Sequence, residues 1–178
     1  MRTARGITLL ELMITIAIIA VVSSLAAPGL NTLRYDAQIT ATVNGLLHDL
    51  LLARSESLTR GEVISVCKSQ DGSTCANAVP DWRVGWMVFV NHDRDEPPQR
   101  DSEEPILTVS QGWPGGTISS NRTAYSFRPS VQGVVNGTLV FCDPRGSSSA
   151  RAIVISHTGR PRVSRRDSSN KPLQCPAA

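Results

Sequence analysis

The residues best suited to chemistry lie near the carboxyl end, in the stretch HTGRPRVSRR. Arg160 and Arg162 flank Pro161, and two residues apart on an extended segment they point to the same side. Pro161 has no N–H to donate, so this piece is expected at a sheet edge or in a loop. Guanidinium groups bind phosphate oxygens in pairs, so the pattern predicts a polyanion-binding surface. Its six residues are Gly159, Arg160, Arg162, Arg165, Arg166 and Lys171.

The charge of the chain is segregated in the same direction. Residues 7–144 carry 9 basic and 14 acidic side chains, a net charge of −5. Residues 145–178 carry 7 basic and 1 acidic side chain, a net charge of +6. Such a surface favours phosphate contacts that release counterions and depend on salt but not on base sequence. The other interpretation is that the basic region confers solubility or pairs with acidic neighbours in an assembly.

A second unusual residue is Glu11, a carboxylate inside an apolar run. The run from Ile7 to Ala27 has 21 residues, enough to cross the hydrocarbon core of about 30 Å as a helix. It is longer than the apolar part of a secretory signal peptide. An ionised group at that depth costs about 2.5–3.5 kcal/mol, so a partner for Glu11 is expected, although an ordinary anchor with a tolerated acid is the alternative.

The segment that contains this glutamate resembles the prepilin signature of type IV pilins and type II secretion pseudopilins. A short basic leader, residues 1–6, is followed at once by ITLLEL. The resemblance implies that a prepilin peptidase cleaves after Gly6 and methylates Ile7, where the family has Phe more often. It also implies that Glu11 neutralises the new N-terminal amine during fibre assembly, which agrees with the favourable position of an anion in the first turns of a helix.

Catalytic and metal signatures are weak in this sequence. Asn91, Asp93 and Asp95 have the spacing of a calcium loop, but Glu96 and Ser102 stand where its glycine and its last glutamate belong. The histidines His48, His92 and His157 match no nucleophile or metal spacing. We therefore expect neither an enzyme nor a metal or other cofactor.

Four cysteines lie beyond the proposed export segment, so disulfides are expected. Three connectivities are possible. The favoured one joins Cys67 to Cys75 around a short loop and Cys142 to Cys175 at the tail. A zinc site is disfavoured because the chain has no CxxC pair.

The element pattern predicts an α+β fold, with a long N-terminal helix followed by antiparallel strands. Pro28 and Gly29 predict a kink, and an amphipathic stripe then runs to Arg60, with Gly61 as the helix cap. The stripe, expected to face the core, is Ile39, Val43, Leu46, Leu47, Leu50, Leu51 and Leu58. Strands are predicted at Val63–Lys68, Trp86–Asn91, Ile106–Ser110, Thr123–Arg128, Val131–Val135, Thr138–Cys142 and Arg151–His157, with a type I′ turn at Asn136 and Gly137.

These elements define four predicted regions: the leader (1–6), a transmembrane and assembly helix (7–28), an amphipathic helix (29–60) and a β-rich domain facing the periplasm (61–178). The stretch DWRVGWMVFVNHDRDEP, the CDP at residues 142–144 and the late GRPR resemble the GspH/FimT family of minor pilins and pseudopilins. Trp82 and Trp86 in the first stretch are interpreted as packing residues. The long helix packed on a β-sheet is the type IV pilin fold that this resemblance implies.

The G-R-x-R motif is associated with the FimT branch, which binds DNA in natural transformation. The resemblance therefore implies a minor type IV pilin that binds double-stranded DNA through its phosphate backbone. Its expected partners are DNA, other major and minor pilins, the prepilin peptidase and the bacterial inner membrane, from which it enters the pilus fibre. The alternatives are a minor pilin that only primes or caps assembly, and a type II secretion pseudopilin.

Overall fold

The computed structural model describes residue 6 and residues 8–129 and 136–176 of the chain. The chain forms two compact units, residues 1–37 and residues 38–178. Helix α1, Leu9–Arg60, contributes to both of them.

In the first unit, Thr8 caps the start of α1. The Glu11 N–H donates to Thr8 Oγ1 at 3.2 Å and the Leu12 N–H donates to Thr8 O at 3.1 Å. This local signal, a threonine three residues before a glutamate, is typical of a helix start. The apolar side chains that follow, including Ile14 and Ile19, are exposed.

In the described residues no single helix has both the length and the apolarity of a membrane span, whereas the stretches Leu9–Ser24 and Gly29–Arg60 meet both requirements together. The break between these stretches falls where Pro28 predicts a kink.

In the second unit, α1 buries four of the seven residues of the predicted stripe, Ile39, Val43, Leu46 and Leu50. Ile39, Leu46 and Leu50 are fully buried. Leu51 and Leu58 are exposed instead, with 45% and 56% of their surface accessible, so the stripe is narrower than predicted. The helix ends as predicted, because Gly61 has a φ of +73° and its N–H donates to Ser57 O at 3.1 Å.

Eight strands follow α1 in the described part of the chain. They are β1 (Val63–Lys68), β2 (Gly85–Asn91), β3 (Ile106–Gln111), β4 (Thr117–Ser120), β5 (Ala124–Phe127), β6 (Gly137–Cys142), β7 (Arg151–Ile155) and β8 (Pro161–Ser164). They form two antiparallel sheets, with strand order β3-β2-β1-β5 in the first and β4-β6-β7-β8 in the second. Side chains from both sheets and from α1 share one core, so the α+β expectation is confirmed.

Most predicted strands are present within one or two residues, and two short ones, β4 and β8, are additional. The predicted type I′ turn at Asn136 and Gly137 is wrong. Gly137 is instead the first residue of β6, paired with Ile155, and it lacks the positive φ that this turn requires. The predicted strand Val131–Val135 lies outside the described residues.

Two disulfides and two tryptophans agree with the sequence analysis. Cys67 is bonded to Cys75 and Cys142 to Cys175, with Cα–Cα distances of 5.7 and 5.8 Å. Trp82 and Trp86 are buried.

A carboxylate that the sequence analysis did not single out fixes α1 to the first sheet. Asp49 is buried on the helix, and its Oδ2 accepts hydrogen bonds from Trp86 Nε1 at 2.8 Å and from Ser110 Oγ at 2.7 Å.

Candidate nucleic-acid interface

The turn between β7 and β8 explains the glycine of the GRPR motif. The Gly159 N–H donates to Ser156 O at 2.9 Å and the Ser156 N–H donates to Arg160 O at 3.1 Å. Gly159 has a φ of +69°, so this is a three-residue hairpin loop with a left-handed last residue. Glycine is favoured there because it adopts that conformation without strain. Gly159 therefore shapes the loop from which Arg160 emerges.

Strand β8 is one of the two edge strands of the second sheet and carries Arg162. Its first residue is Pro161, which agrees with the predicted edge position. Arg162 lies opposite Val154, and the next residue, Val163, lies opposite Ile153. Because Ile153 belongs to the core, alternation along the strands places Arg162 on the sheet face that points away from the core. Arg162 is exposed there.

A second hairpin loop of the same kind follows β8. The Asn170 N–H donates to Asp167 O at 3.1 Å and the Asp167 N–H donates to Lys171 O at 3.0 Å, with Asn170 at a φ of +63°. The Asp167 side chain is used within this loop, because its Oδ1 accepts from the N–H groups of Ser169 and Lys171, both at 2.8 Å. Asp167, the single acidic side chain of residues 145–178, is thus hydrogen-bonded to backbone N–H groups.

The predicted cations of the interface are exposed along this segment. Arg166 Nη1 donates to Asn170 O at 3.0 Å, which orients its guanidinium without neutralising it. Arg160, Arg162, Arg165 and Lys171 have no ion pair with any residue in the described ranges. The structure therefore brings the six predicted residues onto β8 and the loops on either side of it. We call residues 159–171 the basic segment.

Arg145 contributes less to this surface than the charge count implies. Its guanidinium binds the Asp143 carboxylate through Nε and Nη2, at 3.1 and 2.6 Å from Oδ2. Burial of Asp143 opposes ionisation, but the hydrogen bonds and charge of Arg145 outweigh it and keep the pKa of Asp143 below its ordinary value. Asp143 and Arg145 form one ion pair, although the charge counts for residues 7–144 and 145–178 assign them to different regions.

The acidic loop between β2 and β3 is organised by bonds within the protein. Glu104 is buried, and its two carboxylate oxygens accept from the N–H groups of His92 and Asp101, at 2.7 and 3.0 Å. Asn91 Nδ2 donates to Asp95 Oδ1 at 3.1 Å, and burial raises the pKa of Asp95. Among the described residues, no three His, Cys, Asp or Glu side chains are grouped so that they can hold a metal ion.

At the amino end, Gly6 is exposed and Glu11 lies in the first turn of α1. Ile7, the predicted site of cleavage and methylation, lies outside the described residues.

The family to which the chain belongs is shown by its match to known protein families. The family model described as Type II transport protein GspH matches residues 42–159, more than half of the sequence. The chain belongs to the GspH family. The model described as Prokaryotic N-terminal methylation motif matches residues 1–27 of this GspH-family chain. The GspH match ends at Gly159, so Arg160 and the residues after it lie beyond the matched region.

Solved structures show the same fold. The crystal structure of the type IV minor pilin FimU of Pseudomonas aeruginosa (strain PAO1) in space group P21 is 20% identical, with a TM-score of 0.55, covering 78% of this chain and 96% of FimU. A second crystal form of FimU, in space group P65, is 18% identical, with a TM-score of 0.52, covering 76% and 98%. No curated protein sequence is significantly similar to the chain.

These comparisons confirm the type IV pilin fold and the pilin and pseudopilin family predicted from the sequence. Family and fold are those of structural pilins and not of enzymes. The methylation motif and the N-terminal helix indicate a membrane-anchored pilin, and the family implies interaction with other pilins.

Proposed function

We propose that this GspH-family protein is a minor type IV pilin that binds extracellular double-stranded DNA for uptake in natural transformation. The basic segment supplies the contacts, and the phosphate backbone is the ligand. The observation that carries the proposal is the row of exposed cations on and beside β8, four of which have no ion pair within the described residues. A guanidinium that no protein carboxylate neutralises is available to a phosphate.

The number of contacts sets the expected salt dependence. The five cations of the basic segment, each contacting one phosphate, give a slope of log K against log salt of about −4 to −5. Affinity should be independent of base sequence, because contacts to phosphate oxygens carry no sequence information directly.

Gel-shift titration of the full-length processed protein in zwitterionic detergent tests the proposal. Arg160→Gln combined with Arg162→Gln should reduce the slope by about 2. The charge-matched control is Arg54→Gln with Arg60→Gln, since both of these arginines are on α1. The proposal fails if wild type binds no duplex at low salt, or if the β8 variant and the α1 control bind equally well.

The amino-terminal end of the chain supports the proposed route to the fibre. We infer cleavage after Gly6 by a prepilin peptidase, methylation of Ile7, and storage in the bacterial inner membrane with residues 7–28 as the spanning helix. The amphipathic helix of residues 29–60 and the β-rich domain of residues 61–178 then face the periplasm until assembly into the pilus. Glu11 pairs with the new amine in this proposal. Mass spectrometry of the protein from membranes should detect a methylated N-terminal residue 7, and an intact residue 1 would contradict the inference.

A second candidate function is favoured by the description of the matched family, Type II transport protein GspH. In that case the protein is a secretion pseudopilin, or a minor pilin that serves assembly alone. Deletion of the gene distinguishes the candidates. Loss of DNA uptake with pili and secretion intact supports DNA binding, whereas loss of secretion or of piliation supports the alternatives.

A further inference from the structure

Arg122, outside the basic segment, is held in place without being neutralised. It follows β4 and is exposed. Its Nε donates to Asn136 O at 3.2 Å and its Nη2 donates to Asn136 Oδ1 at 3.3 Å. Both acceptors are uncharged, and within the described residues Arg122 has no ion pair. The guanidinium is therefore oriented by two hydrogen bonds while it keeps its full charge, and its Nη1 remains available.

The strand register places Arg122 at the same end of the second sheet as Arg160. Gly137 pairs with Ile155, and Asn136 and Ser156 are the chain neighbours of that pair at this end of the sheet. Ser156 in turn exchanges bonds with Arg160, donating from its N–H at 3.1 Å and accepting at its Oγ at 3.2 Å. Adjacent strands lie about 4.8 Å apart. Two such steps separate the β6 and β8 backbones by about 10 Å.

The sheet face between these cations carries no acidic side chain at its strand positions. Ile118, Leu139 and Ile153 point into the core, so the residues that alternate with them point away from it. These outward residues are Thr117, Ser119, Thr138, Val140, Cys142, Ala152, Val154, Arg162 and Ser164. The carboxyl-terminal tail covers the other end of this face, where Leu173 packs with Ala152. The end of the face away from this tail has Arg122 on one side, Arg160 and Arg162 on the other, and no carboxylate at the outward strand positions between them.

We propose that Arg122 belongs to the same DNA-binding surface as the basic segment, so that cations contact the duplex from both sides of this end of the sheet. The proposal rests on the proposed function. Each exposed guanidinium there can bind a phosphate oxygen of the duplex backbone.

The test compares salt-dependent binding of wild type with two Arg122 variants, again as full-length protein in zwitterionic detergent. Arg122→Gln should reduce the slope of log K against log salt by about 1 and weaken duplex binding by about fivefold to tenfold near 0.1 M salt. Arg122→Lys keeps the charge and should restore the slope. Arg54→Gln is the matched control, because it removes one positive charge from α1 and should change the slope little.

The outcomes separate this inference from the proposed function. If wild type binds, the Arg160 and Arg162 double variant is weakened, and Arg122→Gln binds like Arg54→Gln, then Arg122 lies outside the surface while the proposed function stands. If Arg122→Lys binds as weakly as Arg122→Gln, charge is not what Arg122 contributes and the inference is wrong. If wild type binds no duplex, both proposals fail.

Discussion

Replacing Asp49 with alanine tests how α1 is fixed to the first sheet. The substitution removes the acceptor for Trp86 Nε1 and for Ser110 Oγ. Trp86 is only 3% exposed, so its indole N–H loses its partner without gaining water, whereas Ser110 is partly exposed and can bind solvent. A buried donor left unsatisfied costs about 1–3 kcal/mol, and a hydrogen bond to a charged group contributes about 1.5–3 kcal/mol. We expect Asp49→Ala to lower the free energy of unfolding by about 3 kcal/mol.

Urea denaturation of a form lacking residues 1–34 measures this loss of unfolding free energy. The signal is tryptophan fluorescence, which Trp82 and Trp113 still supply in a Trp86→Phe background. The matched variant is Asp49→Asn, which keeps an oxygen acceptor and should cost about 1 kcal/mol. In a Trp86→Phe background the donor is already gone, so Asp49→Ala should cost less there by about 1–2 kcal/mol. An equal cost in both backgrounds would refute the assigned hydrogen bond, and a cost under about 0.5 kcal/mol would refute the anchoring role.

Two further predictions concern stability at the carboxyl-terminal end. Replacing Cys142 and Cys175 with serine opens a loop with a sequence separation of 33, which the chain-entropy relation converts to a loss of about 3.7 kcal/mol. Replacing Cys67 and Cys75, with a separation of 8, should cost about 2.5 kcal/mol. Urea unfolding of the two variants should give that order, and the reverse order would contradict it. Because the pKa of Asp143 is lower in the folded protein than in the unfolded chain, its contribution to stability is present above about pH 4 and is lost as the pH falls. Acid titration followed by circular dichroism should show less loss in Arg145→Gln than in wild type, and identical curves would show that the pair does not contribute.

The sequence predicted the elements that depend on local patterns. Hydrophobic residues at helical spacing, with Gly61 after them, located the end of α1, and β1 begins and ends at the predicted residues. The two missed strands lacked such patterns. β4 reads TISS and has one apolar residue, and β8 begins with Pro161, which weakens any strand pattern. Both form because they pair with strands already placed by the core.

The sequence identifies candidate site residues where positive charge and a motif coincide, as in the basic segment. It does not identify the partners that neutralise or orient the arginines, because those partners depend on contacts in the folded chain. Arg145 is neutralised by a carboxylate two residues before it, and Arg122 is oriented by Asn136, 14 residues away. Asp49 was not distinguished from the other charged residues of its helix, since its two donors come from β2 and β3.

The position of β8 at the edge of the second sheet links the proposed DNA binding to the solubility of the protein. Backbone N–H and C=O groups on the outer side of an edge strand can pair with a strand of another molecule, and charged side chains and proline oppose such pairing. Arg162 and Pro161 therefore protect the edge that carries the proposed contacts. Replacing Arg160 and Arg162 with apolar residues would leave the β8 edge unprotected. The aggregation that follows would then be mistaken for loss of DNA binding. Glutamine keeps the edge polar, so it is the informative replacement at these positions.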